Sequence, residues 1–332
     1  MDFKLLILFI SLHLTISLEE SQQDIPIEYE VAPWHGFKQA AITYSFDDGS
    51  RNQLLKAVPI LDKYNLKATF NLITQVSNDW EGFKAAAENG HEIASHTITH
   101  SHLPEQDKET QTQEFKESKK LIEKMIGQEC VTLAYPYCEP GDYDLIQKYY
   151  ISARVCWGTL ISHNTNDMYI LSSIGIGSES DYKRAEDINA LADLALKEKK
   201  WLVFLIHGID NQAYSPFDSL ELEKHIKYVL KDDNIWVATF KDISKYILEA
   251  NSLIIKENKN EEGDTIIEVS TGYKTDLTKL DVPVTVARVL DDKCENVVIT
   301  KENYLDEIDK QIESGRVIFD VVPGEKYIMK CL

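Results

Sequence analysis

The chain has 332 residues, of which 43% are hydrophobic and 27% are charged, so it is long and apolar enough for one large globular domain and a smaller companion. Its formal net charge of −20 argues against binding to nucleic-acid phosphates, which requires clustered lysine and arginine. A neutral sugar polymer would be indifferent to this acidity.

The first 18 residues predict a cleaved signal peptide. Lys4 precedes an apolar run that continues to Leu18, and acidic and polar residues follow it. An uncleaved membrane anchor is the alternative, because Asp2 weakens the positive start, but the run is short for a membrane span. We therefore expect a secreted protein with no stable membrane insertion after cleavage. Residues 19–39 are predicted to form an N-terminal extension.

Export permits disulfides, and the chain has five cysteines. Cys294 and Cys331 lie together near the C-terminus and are predicted to pair. The other three, Cys130, Cys138 and Cys156, leave one cysteine over unless it pairs with another chain. No Cys-x-x-Cys spacing is present, so a thiolate metal site is not expected.

From residue 40 to residue 251, short apolar runs alternate with amphipathic segments. The strand candidates are 41–46, 68–73, 91–95, 131–135, 151–157, 202–206 and 235–239. Asn78 is typical of a helix start and Gly127 of a helix end in the segments between them. This alternation predicts an α/β fold, a closed or nearly closed barrel of about seven parallel strands with its site residues at the carboxyl ends of the strands.

After residue 252, short β-rich runs replace the alternation, and residues 256–263 are predicted to be a charged linker. We predict a small β-sandwich-like accessory domain at 252–332, with a helix at 304–312 as a local alternative. Carbohydrate binding by this domain is possible in principle, but no exposed aromatic row is evident in it, which favours a structural role.

Several strand candidates run into residues that bind metal ions or move protons. Strand 41–46 leads into Asp47 and Asp48, and strand 91–95 leads into His96 and His100. Two histidines four residues apart can direct both imidazoles at one ion, and one carboxylate with two imidazoles suits Zn²⁺ or a similar divalent ion. An Asx turn and structural histidines are the alternatives. His91 and His102 are assigned to a supporting layer or to no role.

A further histidine, His207, follows the apolar strand 202–206, where packing does not explain it. A metal site, an adjacent carboxylate and a second histidine on different strand ends form a set suited to hydrolysis.

The motifs Ser-Phe-Asp-Asp-Gly at 45–49, His-Thr-Ile-Thr-His at 96–100, Tyr-Pro-Tyr at 135–137 and Leu-Ile-His at 205–207 resemble, in this order, those of the polysaccharide deacetylases, carbohydrate esterase family 4. The likeness spans about 40–250 and implies a deformed (β/α) barrel as the catalytic domain at 40–251. It also implies a divalent metal, usually zinc, with another such as Co²⁺ as the alternative.

The resemblance assigns roles to individual residues. It implies that Asp48, His96 and His100 hold the metal ion. It further implies that Asp47 is the general base, that His207 is the general acid and that the backbone N–H of Tyr137 binds the oxyanion. Together these roles make up one hydrolytic reaction.

Two departures from the family pattern are present. Ala134 stands where the family commonly has an arginine, and Arg154 on the next strand is predicted to supply that guanidinium, with a surface ion pair as the alternative. The family's Asp-Trp motif is not recognisable, and Trp157 is predicted either to line the substrate pocket or to pack in the core.

The sequence therefore predicts a secreted, metal-dependent hydrolase that removes N-acetyl groups from an amino-sugar polymer, chitin-like or peptidoglycan-like. An O-acetyl esterase acting on a polysaccharide is one alternative. A glycan-binding protein that has lost catalysis is another, although the complete set of acidic and histidine residues argues against it.

Overall fold

The computed structural model describes residues 26, 28–76, 79–291, 294–304 and 306–332. The predicted signal peptide at 1–18 and the predicted helix start at Asn78 lie outside these residues. Across the described ranges, no helix combines the length and the apolar character needed to span a bilayer.

The central sheet is parallel and curls into a barrel. Strand β1 is Tyr29–Val31, and the eight strands of the central sheet are β2 Ala40–Asp47, β3 Thr69–Leu72, β4 Glu92–Ser95, β5 Thr132–Ala134, β6 Ser152–Arg154, β7 Ile174–Gly175, β8 Trp201–Ile206 and β9 Ile235–Val237. Their order is β6-β5-β4-β3-β2-β8-β7, and β9 pairs with the start of β2. A bridge between Arg154 and Leu171 joins the end of β6 to the chain before β7. The predicted α/β barrel class is confirmed.

Helices connect the strands and cover the sheet. They are α1 Val58–Lys63, α2 Trp80–Glu88, α3 Lys108–Ile126, α4 Tyr143–Ile146, α5 Ala185–Glu198, α6 Ser219–Val229 and α7 Phe240–Asn251, and α1 continues a π-helical turn at Gln53–Ala57. Asp79 caps α2 by accepting a hydrogen bond from the Gly82 amide. Gly127 ends α3 as predicted, with the left-handed φ of 81° that glycine adopts without strain.

A polar network closes the amino-terminal end of the barrel, opposite the predicted site. Glu92 is buried there and accepts hydrogen bonds from the Thr69 hydroxyl over 2.7 Å and from the Lys241 amide over 2.8 Å. His91 lies beside it, with its Nε2 3.0 Å from a carboxylate oxygen of Asp62. His91 is therefore structural and lies away from the predicted metal ligands.

Two four-stranded antiparallel sheets follow the barrel. Their remaining strands are β10 Leu253–Lys259, β11 Thr265–Thr271, β12 Val284–Val289, β13 Val297–Lys301, β14 Lys310–Glu313, β15 Arg316–Val321 and β16 Lys326–Cys331. The orders are β1-β12-β15-β14 and β10-β11-β16-β13. Strand β1 therefore comes from the predicted N-terminal extension, and a strand of three residues has too little periodicity to be predicted. Cys294 and Cys331 form the expected disulfide.

Two local predictions in this region are wrong. Residues 256–263 are not a linker, because β10 runs to Lys259 and pairs with β11 along its length. Its charged residues mask the strand pattern, and one of them, Glu257, turns inward to accept hydrogen bonds from Arg288 over 2.6 Å and from the Tyr29 hydroxyl over 2.5 Å. No helix occurs at 304–312 in the residues described there, and β14 occupies the end of that segment.

Helix α7 joins the barrel to the double sheet through a buried carboxyl group. Glu249 is fully buried, and its Oε1 accepts a hydrogen bond from the Val282 amide over 3.2 Å. Its Oε2 is buried without a hydrogen-bond partner among the described residues. Burial raises the pKa of Glu249 to about 8, from an ordinary value of 4.5, because the charged form loses its hydration.

This pKa predicts a pH-dependent stability. A carboxyl group whose pKa is raised by folding stabilises the protein while it is protonated, and that contribution is lost as the pH rises toward the folded-state pKa. We expect Glu249→Gln to increase the free energy of unfolding relative to wild type by more than about 1 kcal/mol at about pH 9 and to change it little at about pH 5. Urea unfolding at both pH values measures the difference.

The exposed residue Glu268 on β11, which pairs with Lys326 over 2.6 Å, provides the matched control. Glu268→Gln should leave the free energy of unfolding nearly unchanged at either pH, because water screens an exposed ion pair. An equal gain in the free energy of unfolding from Glu249→Gln at both pH values would contradict the raised pKa of Glu249.

Candidate active site

The carboxylate of Asp47 is buried at the end of β2, and two donors hold one of its oxygens. Asn71, directly opposite on β3, donates from Nδ2 to Oδ1 over 2.8 Å, and the Arg154 guanidinium donates to the same oxygen. Arg154 also donates from Nε to Ser45 Oγ over 3.0 Å, because Ser45 and Asp47 share a face of the strand. Oδ2 is left facing His96, 3.8 Å from its Nε2.

This surrounding keeps Asp47 ionised. Burial alone would raise the pKa of Asp47, but the charge of Arg154, aided by His96 and His207, lowers it below the usual value. The side chains of Arg154 and Asp47 are only 2% and 3% exposed, so little water screens their attraction. Arg154 therefore reaches the carboxylate from β6, on the far side of the barrel, and does not form a surface ion pair.

Three side chains beside Asp47 form a set that fits a metal ion. Asp48, His96 and His100 each bring one ligand atom within 4.8 Å of the others. His96 Nδ1 donates to the backbone oxygen of Ala134 over 2.7 Å, which leaves the lone pair of Nε2 free for a metal. Burial and the neighbouring His96 lower the pKa of His100, which favours the neutral imidazole that a metal requires.

The loops that carry these ligands have strained backbone. Asp48, Thr97 and His100 have φ values of 72°, 66° and 55°, in the left-handed region, at a cost of about 1–3 kcal/mol each. Glu114 on α3, only 4% exposed, holds the histidine loop by accepting hydrogen bonds from the Ile98 amide over 2.7 Å and from the Thr99 amide over 3.0 Å. The packed helix thus maintains a conformation that the loop alone would not keep.

His207 follows β8, which pairs with β2, so this histidine lies next to Asp47 in the sheet. Gln53 joins the two strand ends by donating from Nε2 to the backbone oxygens of Asp47, over 2.5 Å, and of His207, over 2.8 Å. Gly208 is required after the histidine, because a Cβ there would collide with the backbone oxygen of Gln212. Among the described residues, no carboxylate hydrogen-bonds to the His207 ring.

Two aromatic side chains stand at the rim of the site. Tyr137 is 52% exposed, and its ring stacks on His102 with a centroid distance of 3.8 Å. Trp157 is 51% exposed and donates from its indole nitrogen to the backbone oxygen of Cys138 over 3.3 Å. Trp157 therefore does not pack in the core. It is also not among the residues that line the central cavity.

The proposed catalytic residues and metal ligands line one cavity of about 500 Å³ at the carboxyl ends of the strands. The loop after β7 and the loop after β8 supply its far wall through Glu179 and Tyr214. The predicted site residues that line the cavity are Asp47, Asp48, His96, His100, Tyr137, Arg154 and His207. An anionic carboxylate, a candidate metal site and an imidazole therefore converge on a space large enough for a sugar unit.

Three supporting residues are missing from the sequence-based prediction. Asn71 has one signal, a polar side chain near the carboxyl end of an otherwise apolar strand. Gln53 and Glu114 lie in helical segments among many other polar residues, so no local pattern distinguishes them. Their roles depend on contacts between elements that are distant in sequence.

Comparison with known proteins identifies a family for part of this chain. Residues 36–149 match the family model described as polysaccharide deacetylase. YxkH of Bacillus subtilis, described as a polysaccharide deacetylase, is 33% identical over 103 residues, which are 30% of this chain and 37% of YxkH. A gellan lyase from a Bacillus species is 26% identical over 295 residues, which are 82% of this chain and 12% of the lyase. The chain thus spans well under half the length of either curated relative.

The fold also has a solved relative. A structure described as a polysaccharide deacetylase from Mycobacterium smegmatis superposes with a TM-score of 0.52 at 17% identity, covering 66% of this chain and 95% of that one. At this identity the likeness concerns the fold alone. The match over residues 36–149 shows that this part of the chain is a polysaccharide deacetylase domain, in agreement with the motifs that the sequence presents.

Proposed function

We propose that this protein hydrolyses N-acetyl groups on an amino-sugar polymer, chitin-like or peptidoglycan-like, and releases acetate. The observation that carries the proposal is the convergence of Asp47, His207 and the Asp48-His96-His100 set on one cavity. An ionised buried carboxylate supplies a base, and an imidazole at the end of the neighbouring strand supplies an acid. The match of residues 36–149 to the polysaccharide deacetylase family model supports the reaction class.

The ligand set supports a divalent metal, with Zn²⁺ as the proposed ion and Co²⁺ as the alternative. Asp48, His96 and His100 would hold it, since one carboxylate and two imidazoles leave coordination positions open. The hydrogen bond from His96 Nδ1 to Ala134 orients the ring for this use. When bound, such an ion polarises a carbonyl group and lowers the pKa of water.

The residues of the chain then divide the proton transfers. Asp47 accepts the proton of the attacking water on Oδ2, since Arg154 and Asn71 occupy Oδ1. The Tyr137 backbone amide donates a hydrogen bond to the oxyanion that forms from the acetyl carbonyl. His207 protonates the departing nitrogen, which matters because an amide nitrogen leaves poorly as an anion.

The cysteines of the chain suit an extracellular glycan-acting protein. Two disulfides, Cys138–Cys156 and Cys294–Cys331, are typical of oxidising compartments, and the fifth cysteine, Cys130, is buried as a free thiol. We therefore propose secretion, in agreement with the predicted signal peptide. The lyase activity in the name of one relative is not carried over, because this chain matches only 12% of that protein.

We expect the zinc-loaded protein to release acetate from N-acetylated chitooligosaccharide or from peptidoglycan. Asp47→Asn should lower kcat by at least about a hundredfold without loss of bound zinc, because it removes the base but no ligand. Asp48→Asn should weaken zinc binding as well as activity. Acetate release and zinc content after dialysis measure both effects.

The exposed carboxylate Glu139, which contacts His102 at the rim, gives a control, and Glu139→Gln should retain zinc. Acetylated xylan is assayed in parallel. Release from xylan esters alone would replace the amide substrate with an ester, and full activity of Asp47→Asn would contradict the assigned base.

Arg154 generates a separate prediction. Without its guanidinium, burial would raise the pKa of Asp47 with less opposition, so the carboxylate would be protonated at higher pH. We expect Arg154→Gln to lower kcat/KM and to move the acid limb of its pH profile to higher pH. The exposed Arg184 supplies the control Arg184→Gln, and an unchanged profile for Arg154→Gln would contradict the assigned role.

A further inference from the structure

We infer that the Cys138–Cys156 disulfide is a positioning element of the active site, which holds the Tyr137 amide in the orientation that the oxyanion requires. This inference rests on the proposed function and extends it to residues outside the family motifs. Cys138 directly follows Tyr137, and Cys156 directly precedes Trp157. Both cysteines line the central cavity.

The segment that needs positioning is strained. Tyr137 and Cys138 have φ values of 53° and 65°, a region that side chains with a Cβ rarely adopt. The Cys138 amide donates to the Tyr135 backbone oxygen over 3.2 Å, whereas no hydrogen bond from the Tyr137 amide is found among the described residues. The Tyr137 N–H is therefore available to a ligand. Without a restraint on the neighbouring residues, the peptide that carries this N–H would relax to a less strained conformation.

Two interactions, a disulfide and a hydrogen bond, restrain Cys138 and oppose this relaxation. The disulfide joins it to Cys156, with the two Cα atoms 5.2 Å apart. The indole of Trp157 donates to the Cys138 backbone oxygen over 3.3 Å. The loop after β5 is thereby fixed to the segment after β6, only two residues beyond Arg154. The Tyr137 amide, the proposed oxyanion donor, and Arg154, the partner of the proposed base, are consequently fixed relative to each other.

The contacts of the Tyr137 ring cannot restrain the backbone as the disulfide and the Trp157 hydrogen bond do. The ring lies against His102 and meets the His100 ring edge-on, at centroid distances of 3.8 Å and 4.6 Å. Ring packing restrains the end of a side chain, while the peptide can still rotate about its flanking torsions. A bond to the Cys138 side chain restrains the backbone next to the Tyr137 peptide directly.

The second disulfide of the chain provides a matched control. Cys294–Cys331 lies in the double sheet and closes 37 residues of sequence, against 18 for Cys138–Cys156. The longer loop should contribute at least as much to global stability through chain entropy. A purely structural role for Cys138–Cys156 therefore predicts that the two double variants behave alike in the active site.

The first experiment measures hydrogen exchange in the zinc-loaded full chain. Cys138→Ser/Cys156→Ser should accelerate amide exchange at 135–139 by about tenfold or more, while 41–47 and the control Cys294→Ser/Cys331→Ser stay as in wild type. Unchanged exchange at 135–139 would overturn the inference, and so would an equal acceleration throughout the barrel. This readout does not depend on any substrate.

The second experiment separates kcat from KM on N-acetylated chitooligosaccharide, well below the unfolding temperature. Cys138→Ser/Cys156→Ser should lower kcat by about tenfold to a hundredfold with KM within about twofold, because the oxyanion donor acts mainly in the transition state. Trp157→Phe, which keeps an aromatic ring but loses the N–H donor, should give a smaller loss of kcat. An unchanged kcat for the cysteine variant would overturn the positioning role.

Reversible reduction of the disulfide tests whether a lower kcat is caused by misfolding of the variant. In the Cys294→Ser/Cys331→Ser background, phosphine reduction of the remaining disulfide should lower kcat, and reoxidation should restore it. Reduction without any loss of kcat would overturn the inference. A wild type that releases no acetate from any acetylated substrate would instead refute the proposed function, and the exchange experiment would still decide whether the disulfide positions Tyr137.

Discussion

The structure depends on one buried ion pair, between Arg154 at the end of β6 and Asp47 at the end of β2. Neither side chain has appreciable contact with water, and a buried charge without a partner costs several kcal/mol. The two strands are far apart in the order of the sheet, so the pair forms only when the sheet curls. Closure of the barrel and assembly of the proposed base are therefore the same event.

Further polar residues orient the side chains of Arg154 and Asp47. Ser45 accepts hydrogen bonds from the Arg154 guanidinium and from Asn71, and Asn71 also donates to the Asp47 carboxylate. Gln53 joins the ends of β2 and β8. Glu114 keeps the strained histidine loop in place from outside the barrel. Such fixed dipoles need little reorganisation during a reaction, which is the physical basis of electrostatic preorganisation. The strain in the ligand loops is maintained because several packed elements oppose its release.

The sequence predicts those parts of the site that follow directly from strand ends. The strands that lead into Asp47, His96 and His207 are each buried on both faces, and the parallel arrangement brings their ends together. Arg154 is predicted only through the family resemblance, since its partner lies 107 residues away. Gln53 and Glu114 act through contacts between distant elements. Strand β10 escapes prediction because its outward charges hide the alternation of Leu253 and Ile255.

The double sheet is tied to the catalytic barrel more closely than an appended module would be. Eight residues separate its edge strand β1 from β2. This intervening segment is held by a hydrogen bond from the Gly36 amide to Thr285 over 2.8 Å and by contact of His35 with Asp320 over 3.1 Å. Tyr246 of α7 packs in the core of the double sheet. The C-terminal part of the chain thus fixes both the entry to β2, which carries Asp47 and leads into Asp48, and the last helix of the barrel. These contacts favour a structural role for the double sheet, because they restrain the strand on which the site is built.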